Sequence, residues 1–332
     1  MNSDWTVVEL KQENAQSLLP LFECVWPRED GHREKIRWAF ETNPLGPGIL
    51  MAATPAEDET TPIAARGSIV WPVTSRLGAT NANVHQFHGT CVHPSHRRKG
   101  IFTTLNREFL VRFADTGGDA IFNISAAASK AGYEKLGWTY IPGFHRLVLV
   151  LRPIRVLRTL LARTGRPDFF LNSVPSQRTP CFEQVAAANN KRSSVLDGRF
   201  YTRYDDAFFR WRYANPAAGY RFVVDATDGF CSYKVGRRGA ASEVLIGDIW
   251  PLGTPYRSIP KLLWRVVRRE KPHLVTIVMS KTHPYHRCLR ALAFFPDPKG
   301  DLNHGVRPVS EKGRKFLQPS RWALMTADID TY

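Results

Sequence analysis

Apolar residues recur along this chain with two periods. Ile101, Phe102, Leu105, Phe109 and Phe113 fall at helical spacing, as do Ile259, Leu262, Leu263, Val266 and Val267. Each set predicts a helix with one face turned to a core. Ahead of the first set, residues 84–92 are rich in types that suit a strand. Behind it, Asp115-Thr116-Gly117-Gly118 breaks the pattern, and a short apolar strand follows at 119–124. A small-residue run then ends in Gly132-Tyr133-Glu134-Lys135-Leu136-Gly137-Trp138. The order strand, helix, strand, helix indicates the α/β class.

The pattern repeats. Trp38-Ala39-Phe40-Glu41-Thr42-Asn43-Pro44 recurs as Trp211-Arg212-Tyr213-Ala214-Asn215-Pro216, the stretch from Gly89 to Pro94 as Gly247-Asp248-Ile249-Trp250-Pro251, and Leu136-Gly137-Trp138 as Leu292-Ala293-Phe294. Pro94 and Pro251 are 157 residues apart and Gly137 and Ala293 are 156 apart, whereas Trp38 and Trp211 are 173 apart. An acidic loop at residues 54–61, present only in the first half, fits the difference. A length of 332 residues also suits two cores. The expected plan is a first domain over 1–151, a basic linker helix over 152–175 and a second domain over 176–332.

Composition narrows the setting. The formal net charge is +16, and between Tyr140 and Pro167 six arginines occur without one acid. Ile154, Leu157, Leu160 and Leu161 recur within that run, so it reads as a basic amphipathic helix whose apolar face packs on a domain. No basic motif interleaved with aromatics is present, which argues against nucleic acid as partner. No run of 18 apolar residues and no secretory leader pattern is found, so a cytoplasmic protein without a transmembrane segment is expected. The five cysteines are scattered without C-x-x-C spacing, which favours neither a disulfide framework nor zinc; no metal is expected. Cys91 is read as a small core residue rather than a nucleophile.

Candidate chemistry lies between the strand at 84–92 and the helix that follows. Arg97, Arg98, Lys99, Gly100, Ile101, Phe102 and Thr103 form a loop whose backbone N–H groups gather at a helix N-terminus. Such a place favours an anion, Gly100 lets the backbone come close to it, and the basic side chains add positive charge. In the second half, Pro94 set on Pro251 puts Gly100 on Arg257, and Pro255 has no N–H to offer. The second copy is therefore read as retaining the fold without the cofactor loop.

The sequence of strand, Arg97-x-x-Gly100-x-Phe102 loop, helix, strand and Tyr133-Glu134-Lys135-Leu136-Gly137-Trp138 resembles the GCN5-related N-acetyltransferase (GNAT) superfamily. Phe102 departs from the Gly or Ala usual at its place. The resemblance implies two tandem acyl-CoA N-acyltransferase folds, the second degenerate, each an α+β mixed sheet whose strands, here 84–92 and 119–124, splay apart at one end, with acetyl-CoA as co-substrate and a small-molecule amine as acceptor. It further implies that main-chain groups of Cys91, Val92 and His93 pair with the pantetheine arm and polarise the thioester. Amides from Arg98 to Thr103 would hold the pyrophosphate, and Asn123 would bond the pantetheine or else cap the next helix. Tyr133 stands at the family's general-acid position. His88 is the favoured general base, on the assumption that alternation places it on one face with Thr90 and Val92; His85, Glu29 and Asp30 compete.

The basic charge favours a neutral or anionic acceptor over a polycation. Two other readings remain: a Fem-type transferase that takes aminoacyl groups from transfer RNA to a cell-wall precursor, and a sensor that binds acyl-CoA without turnover. A homodimer is compatible with all of them.

Overall fold

The computed structural model of the protein describes residues 4–27, 29, 31–58, 60–75, 82–161, 179–213, 215, 218–238 and 240–329. Contacts divide it into two units. The first comprises Met1–Val73, Asn81–Ile141 and Asn303–Gln318; the second comprises Thr74–Thr80, Pro142–Leu302 and Pro319–Tyr332.

In chain order the first unit contributes β1 (Trp5–Glu9), α1 (Leu19–Val25), α2 (His32–Ile36), β2 (Leu50–Pro55), β3 (Ala64–Val70), the short β4 (Val73–Thr74), β5 (Val84–Val92), α3 (Ile101–Asp115), β6 (Ala120–Ser125), α4 (Ala127–Lys135) and β7 (Thr139–Ile141). There follow β8 (Phe144–Val150), α5 (Pro153–Leu161), α6 (Ala186–Val195), the short β9 (Tyr201–Thr202), α7 (Asp206–Tyr213), β10 (Arg221–Asp225), β11 (Gly229–Arg238), β12 (Ala241–Pro251), α8 (Pro255–Glu270), β13 (Leu274–Ser280), α9 (His286–Ala291), β14 (Phe295–Asp301) and β15 (Asn303–Pro308).

The first sheet has the order β1-β2-β3-β5-β6-β15-β7. Its one parallel pair, β5 with β6, is joined only at Val84↔Ala120, His85↔Ile121 and Gln86↔Phe122, after which the strands separate. The expected stripe of α3 buries Ile101, Leu105, Phe109 and Phe113 against Phe87, Ile121 and Trp138, and each such side chain contributes about 1.5–3 kcal/mol on leaving water. The second sheet has the order β10-β11-β12-β13-β8-β14. Its parallel pair, β12 with β13, runs from Glu243↔Leu274 to Ile246↔Ile277 and then separates in the same way. Ile259, Leu262, Leu263 and Val266 of α8 fill its core. A bulge lies at corresponding places, Gly89–Thr90 in β5 and Gly247 in β12.

A cut at residue 151 does not follow the sheets. β8, which precedes it, pairs along its whole length with β13 in the second sheet, from Phe144↔Ser280 to Val150↔Leu274. β15, near the other end of the chain, lies in the first sheet between β6 and β7. The sequence pattern marks such strands but not their partners, because pairing is non-local. The expected linker is helical over Pro153–Leu161, and its remainder from 162 to 175 lies outside the described residues. Of its apolar face, Ile154 is 69% and Leu157 56% exposed.

The correspondence of Gly100 with Arg257 also fails. Gly100 caps α3, but α8 is capped by Thr254 and already begins at Pro255, so Arg257 sits inside its first turn. The second loop is simply shorter.

Candidate active site

The splay of β5 and β6 gathers the candidate residues. β6 has two edges. One is taken throughout by β15; the other is taken by β5 only as far as Phe122. Among the described residues no other segment is hydrogen-bonded to that edge from Asn123 to Ser125. A strand edge left this way can accept an extended ligand whose amides complete the ladder.

On the β5 side, the His93 N–H donates to Ile63 O at 2.8 Å, so His93 cannot offer its amide to a cofactor. Antiparallel strands direct alternate residues to alternate sides. Val92, next in line, therefore turns its backbone groups into the splay, and its carbonyl accepts from Arg97 Nε at 3.3 Å. The Cys91 thiol is buried and pushed up to about 12 by that burial, which suits a core residue.

The loop then rises from solvent. Arg97, Arg98, Lys99 and Gly100 are exposed, and positive φ angles at Arg98 (63°) and Gly100 (79°) curl the backbone into a concave turn at the start of α3. Such a curl collects N–H groups on one side. An ideal Cβ on Gly100 would meet nothing within 4 Å, so the space above it is open. The amides of Ile101 and Phe102 open the helix and have no partner within it, whereas the Thr103 amide donates to Gly100 O at 3.0 Å. The set of backbone amides left open at this turn is thus shorter by Thr103 than the sequence suggests. Phe102 is accommodated by Gly132 on α4: a Cβ there would lie 2.8 Å from its ring.

Tyr133 lies on α4, 3% exposed, among the rings of Phe87, Phe102 and Trp138. Its oxygen accepts from Arg66 Nη1 at 3.0 Å. His88 reaches the sheet's other face, where its ring meets Trp38 and Phe40 edge-on at 6.1 and 5.5 Å between centroids. The expected alternation of His88 with Thr90 and Val92 is overturned by the bulge: His88 opposes Gly67 and Cys91 opposes Ala65, so His88 shares its face with Cys91. The structure brings Tyr133, Phe102 and Arg66 together and sets His88 apart from them.

Of the competitors, His85 is hydrogen-bonded to Ser68 Oγ at 2.8 Å and held down to about 4 by burial, a neutral core residue. Glu29 pairs with Lys35 at 3.4 Å, and Asp30 lies outside the described residues. Asn123 does not cap α4, whose N-cap is Ala126. Its Oδ1 is buried with no hydrogen-bond partner among the described residues, which fits an amide N–H of a pantetheine arm. The open edge, the curled loop and this acceptor are compatible with acetyl-CoA. Among the described residues no three His, Cys, Asp or Glu side chains could share a metal ion, and no helix is long and apolar enough to cross a membrane.

Arg66 was not foreseen, although an arginine between Ala65 and Gly67 in a strand of small residues is a signal. Nor was Gly132, whose missing side chain explains the tolerance of Phe102.

The family model of the acetyltransferase (GNAT) domain matches residues 6–141. Curated proteins give no match to the chain. Among solved structures, a GCN5-related N-acetyltransferase from Anabaena variabilis is similar over 92% of this chain and 73% of its own, with TM-score 0.57 and 13% identity. One from Kribbella flavida gives 0.54 and 16%, over 92% and 71%. A tandem GNAT protein from the clavulanic acid biosynthesis pathway gives 0.52 and 17%, over 92% of this chain and 99% of its own. At these identities the likeness is one of fold, and it spans both units. The matched segment holds the open splay, the basic loop and Tyr133; residues 6–141 thus match an acetyltransferase (GNAT) domain, and the chain has the fold of a tandem GNAT protein.

Proposed function

We propose that the first unit transfers an acetyl group from acetyl-CoA directly to a primary amine of a small neutral or anionic acceptor. Acyl transfer as such is supported by the GNAT domain matched over residues 6–141; the amine, the residues and the order of events are this reading. The observation that carries it is the edge of β6 that from Asn123 on has no partner among the described residues, beside the open turn at Gly100.

In this reading the curled loop from Arg98 to Phe102 holds the pyrophosphate, and the Val92 amide, turned into the splay, donates to the thioester oxygen as charge builds on it. The amine must be neutral to attack, and deprotonating an alkyl amine of pKa near 10 at pH 7 costs roughly 4 kcal/mol. His88 is kept as the base by side-chain type alone, since it lies on the opposite face of the sheet from Tyr133. Attack forms the C–N bond; the C–S bond then breaks with its electron pair on sulfur, which takes the proton of the Tyr133 phenol. Holding both reactants in the splay supplies much of the remaining acceleration.

The test is binding first and turnover second. Acetyl-CoA should raise the melting temperature of the wild-type protein, and thiol release with a panel of primary amines should fall at least tenfold in Tyr133→Phe while the Kd for acetyl-CoA changes little. His88→Ala should move the turnover profile toward alkaline pH. Protection by charged transfer RNA in place of acetyl-CoA would favour the Fem-type reading. Binding without turnover of any amine would favour a sensor.

A further inference from the structure

Arg66 on β3 is fully buried, yet no carboxylate is among its partners. Its guanidinium stacks on the Phe87 ring, with Phe109 and Tyr133 also within cation–π reach. Its single hydrogen bond among the described residues is Nη1 to the Tyr133 oxygen; Nε and Nη2 have no partner there. A buried cation without an anion is expensive to keep, and ring stacking offsets only part of that cost. Burial also pulls the group down to about 10. A residue kept at such expense in a core has something to neutralise.

The phenol beside it supplies the answer. A phenol oxygen can accept from Arg66 and still hold its own proton, which must then point elsewhere. The rings of Phe87, Phe102 and Trp138 packed around Tyr133 offer no acceptor for it. We propose that Arg66 is a positioning residue for acyl transfer: it holds the Tyr133 oxygen with the O–H proton free for the departing sulfur and shares the negative charge left behind. This rests on the reading of Tyr133 as the acid. The C–S electron pair goes to sulfur, the phenol proton follows it to give the free thiol, and the resulting phenolate faces the guanidinium. The acceptor ammonium loses two protons on becoming the amide: one is taken before attack and released to solvent, and the second, lost from nitrogen once the C–N bond has formed, returns to the phenolate through solvent, so no further reactant is needed.

The charge coupling can be read without any ligand. In the wild-type protein minus Tyr133→Phe, ultraviolet difference titration isolates ionisation of one phenol. That signal should appear at clearly lower pH in wild type than in Arg66→Met, and Arg66→Lys should restore most of it. Arg66→Gln, which keeps a donor without the charge, serves if the methionine variant does not fold, and should behave as the methionine does. Thiol release with acetyl-CoA and a primary-amine panel should drop about tenfold in Arg66→Met, with no further drop when Tyr133→Phe is added. A titration that ignores Arg66, or an equal drop in the Tyr133→Phe background, would overturn the role of Arg66 while leaving Tyr133 as the acid. Full turnover in Tyr133→Phe alone would overturn the acid reading itself, and this inference with it.

Discussion

The two parallel strand pairs separate alike and are then finished differently. In the second unit, β13 has one edge on β8 and the other on β12 as far as Ile277. Beyond that point the chain's own segment steps in: Ser280 N donates to Leu324 O at 3.0 Å, Met279 bridges Met325, and the Thr326 hydroxyl accepts from Val278 N at 2.9 Å and donates to Val278 O at 3.3 Å. In the first unit the corresponding edge of β6, from Asn123, has no such partner among the described residues. A splayed pair leaves backbone groups that must be satisfied. One copy meets that demand with peptide; in the other the edge stays open among the described residues, which is where the proposed function puts acetyl-CoA.

The loops follow suit. Gly100 caps α3 in the left-handed region below open space, whereas Thr254 caps α8 in extended conformation before Pro255. The sharpest way to break the comparison is Gly100→Leu. The side chain would enter space where the protein has no atom within 4 Å of a Cβ, and the positive φ costs only about 1–2 kcal/mol. Protection by acetyl-CoA should fall at least 100-fold, equal to roughly 2.7 kcal/mol, in calorimetric titration. Thr254→Leu should leave it unchanged. The reverse result would move the cofactor to the second unit.

Next in size is a pair of substitutions expected to act in opposite ways. Thr326→Val leaves the Val278 amide without its buried acceptor and should destabilise by about 1–3 kcal/mol in urea unfolding, without affecting acetyl-CoA. Asn123→Leu removes a buried oxygen that has no partner among the described residues, so it should keep or raise stability while weakening acetyl-CoA. If Asn123→Leu were as destabilising as Thr326→Val, the first splay would be closed by the protein after all.

What was legible in sequence is local. The helical stripe of α3, the strand at Val84–Val92 and the repeat at a spacing of 156–157 residues all stand, because period and breaker residues act over a few positions. The exchange of β8 and β15 between sheets left no trace, since a strand's pattern states which face is buried and not which strand lies beside it. The bulge at Gly89–Thr90 changed the face of His88 for the same reason: one extra residue inverts a parity count. The segment that fills the second splay is an ordinary run, Leu324-Met325-Thr326, whose meaning arises only from where it lies.

A charge network separates the units further. Asp248 on β12 opposes Ser232 as Cys91 on β5 opposes Ala65. Around Asp248, the Tyr204 and Tyr213 hydroxyls donate to Oδ2 at 3.2 and 2.7 Å, and Arg192 stands 3.6 Å from Asp328. All four partners are buried. Burial first, and then Asp248, raise the Asp328 carboxyl to about 7. Its folded state therefore keeps a proton that the unfolded chain releases near pH 4. Stability from this group is full below that pH, declines as pH rises to about 7, and is flat above, with a slope of at most about 1.4 kcal/mol per pH unit. Asp328→Asn should flatten the fall in melting temperature between pH 5 and pH 7.5. An unchanged slope would assign the proton to another group.

The smallest effect tests how closely the second copy retraces the first. α4 ends with Gly137 N donating to Glu134 O at 3.0 Å and Trp138 N to Tyr133 O at 3.2 Å; α9 ends with Ala293 N donating to Arg290 O and Phe294 N to Leu289 O, both at 3.1 Å. Gly137 has φ 79° and Ala293 φ 62°. The same left-handed cap is thus made once with the residue that suits it and once with a residue that must crowd its Cβ against the backbone. Glycine also gains freedom in the unfolded chain, which offsets part of the relief. Ala293→Gly should still stabilise, by about 0.5–1 kcal/mol, whereas Gly137→Ala should destabilise by at least as much, because its new Cβ would also approach the Arg307 side chain at 3.3 Å. Urea unfolding of both variants checks the pair. Equal and opposite shifts would mark a cap retained for its geometry, and a loss of stability in Ala293→Gly would mean that the alanine methyl packs better than its backbone suffers.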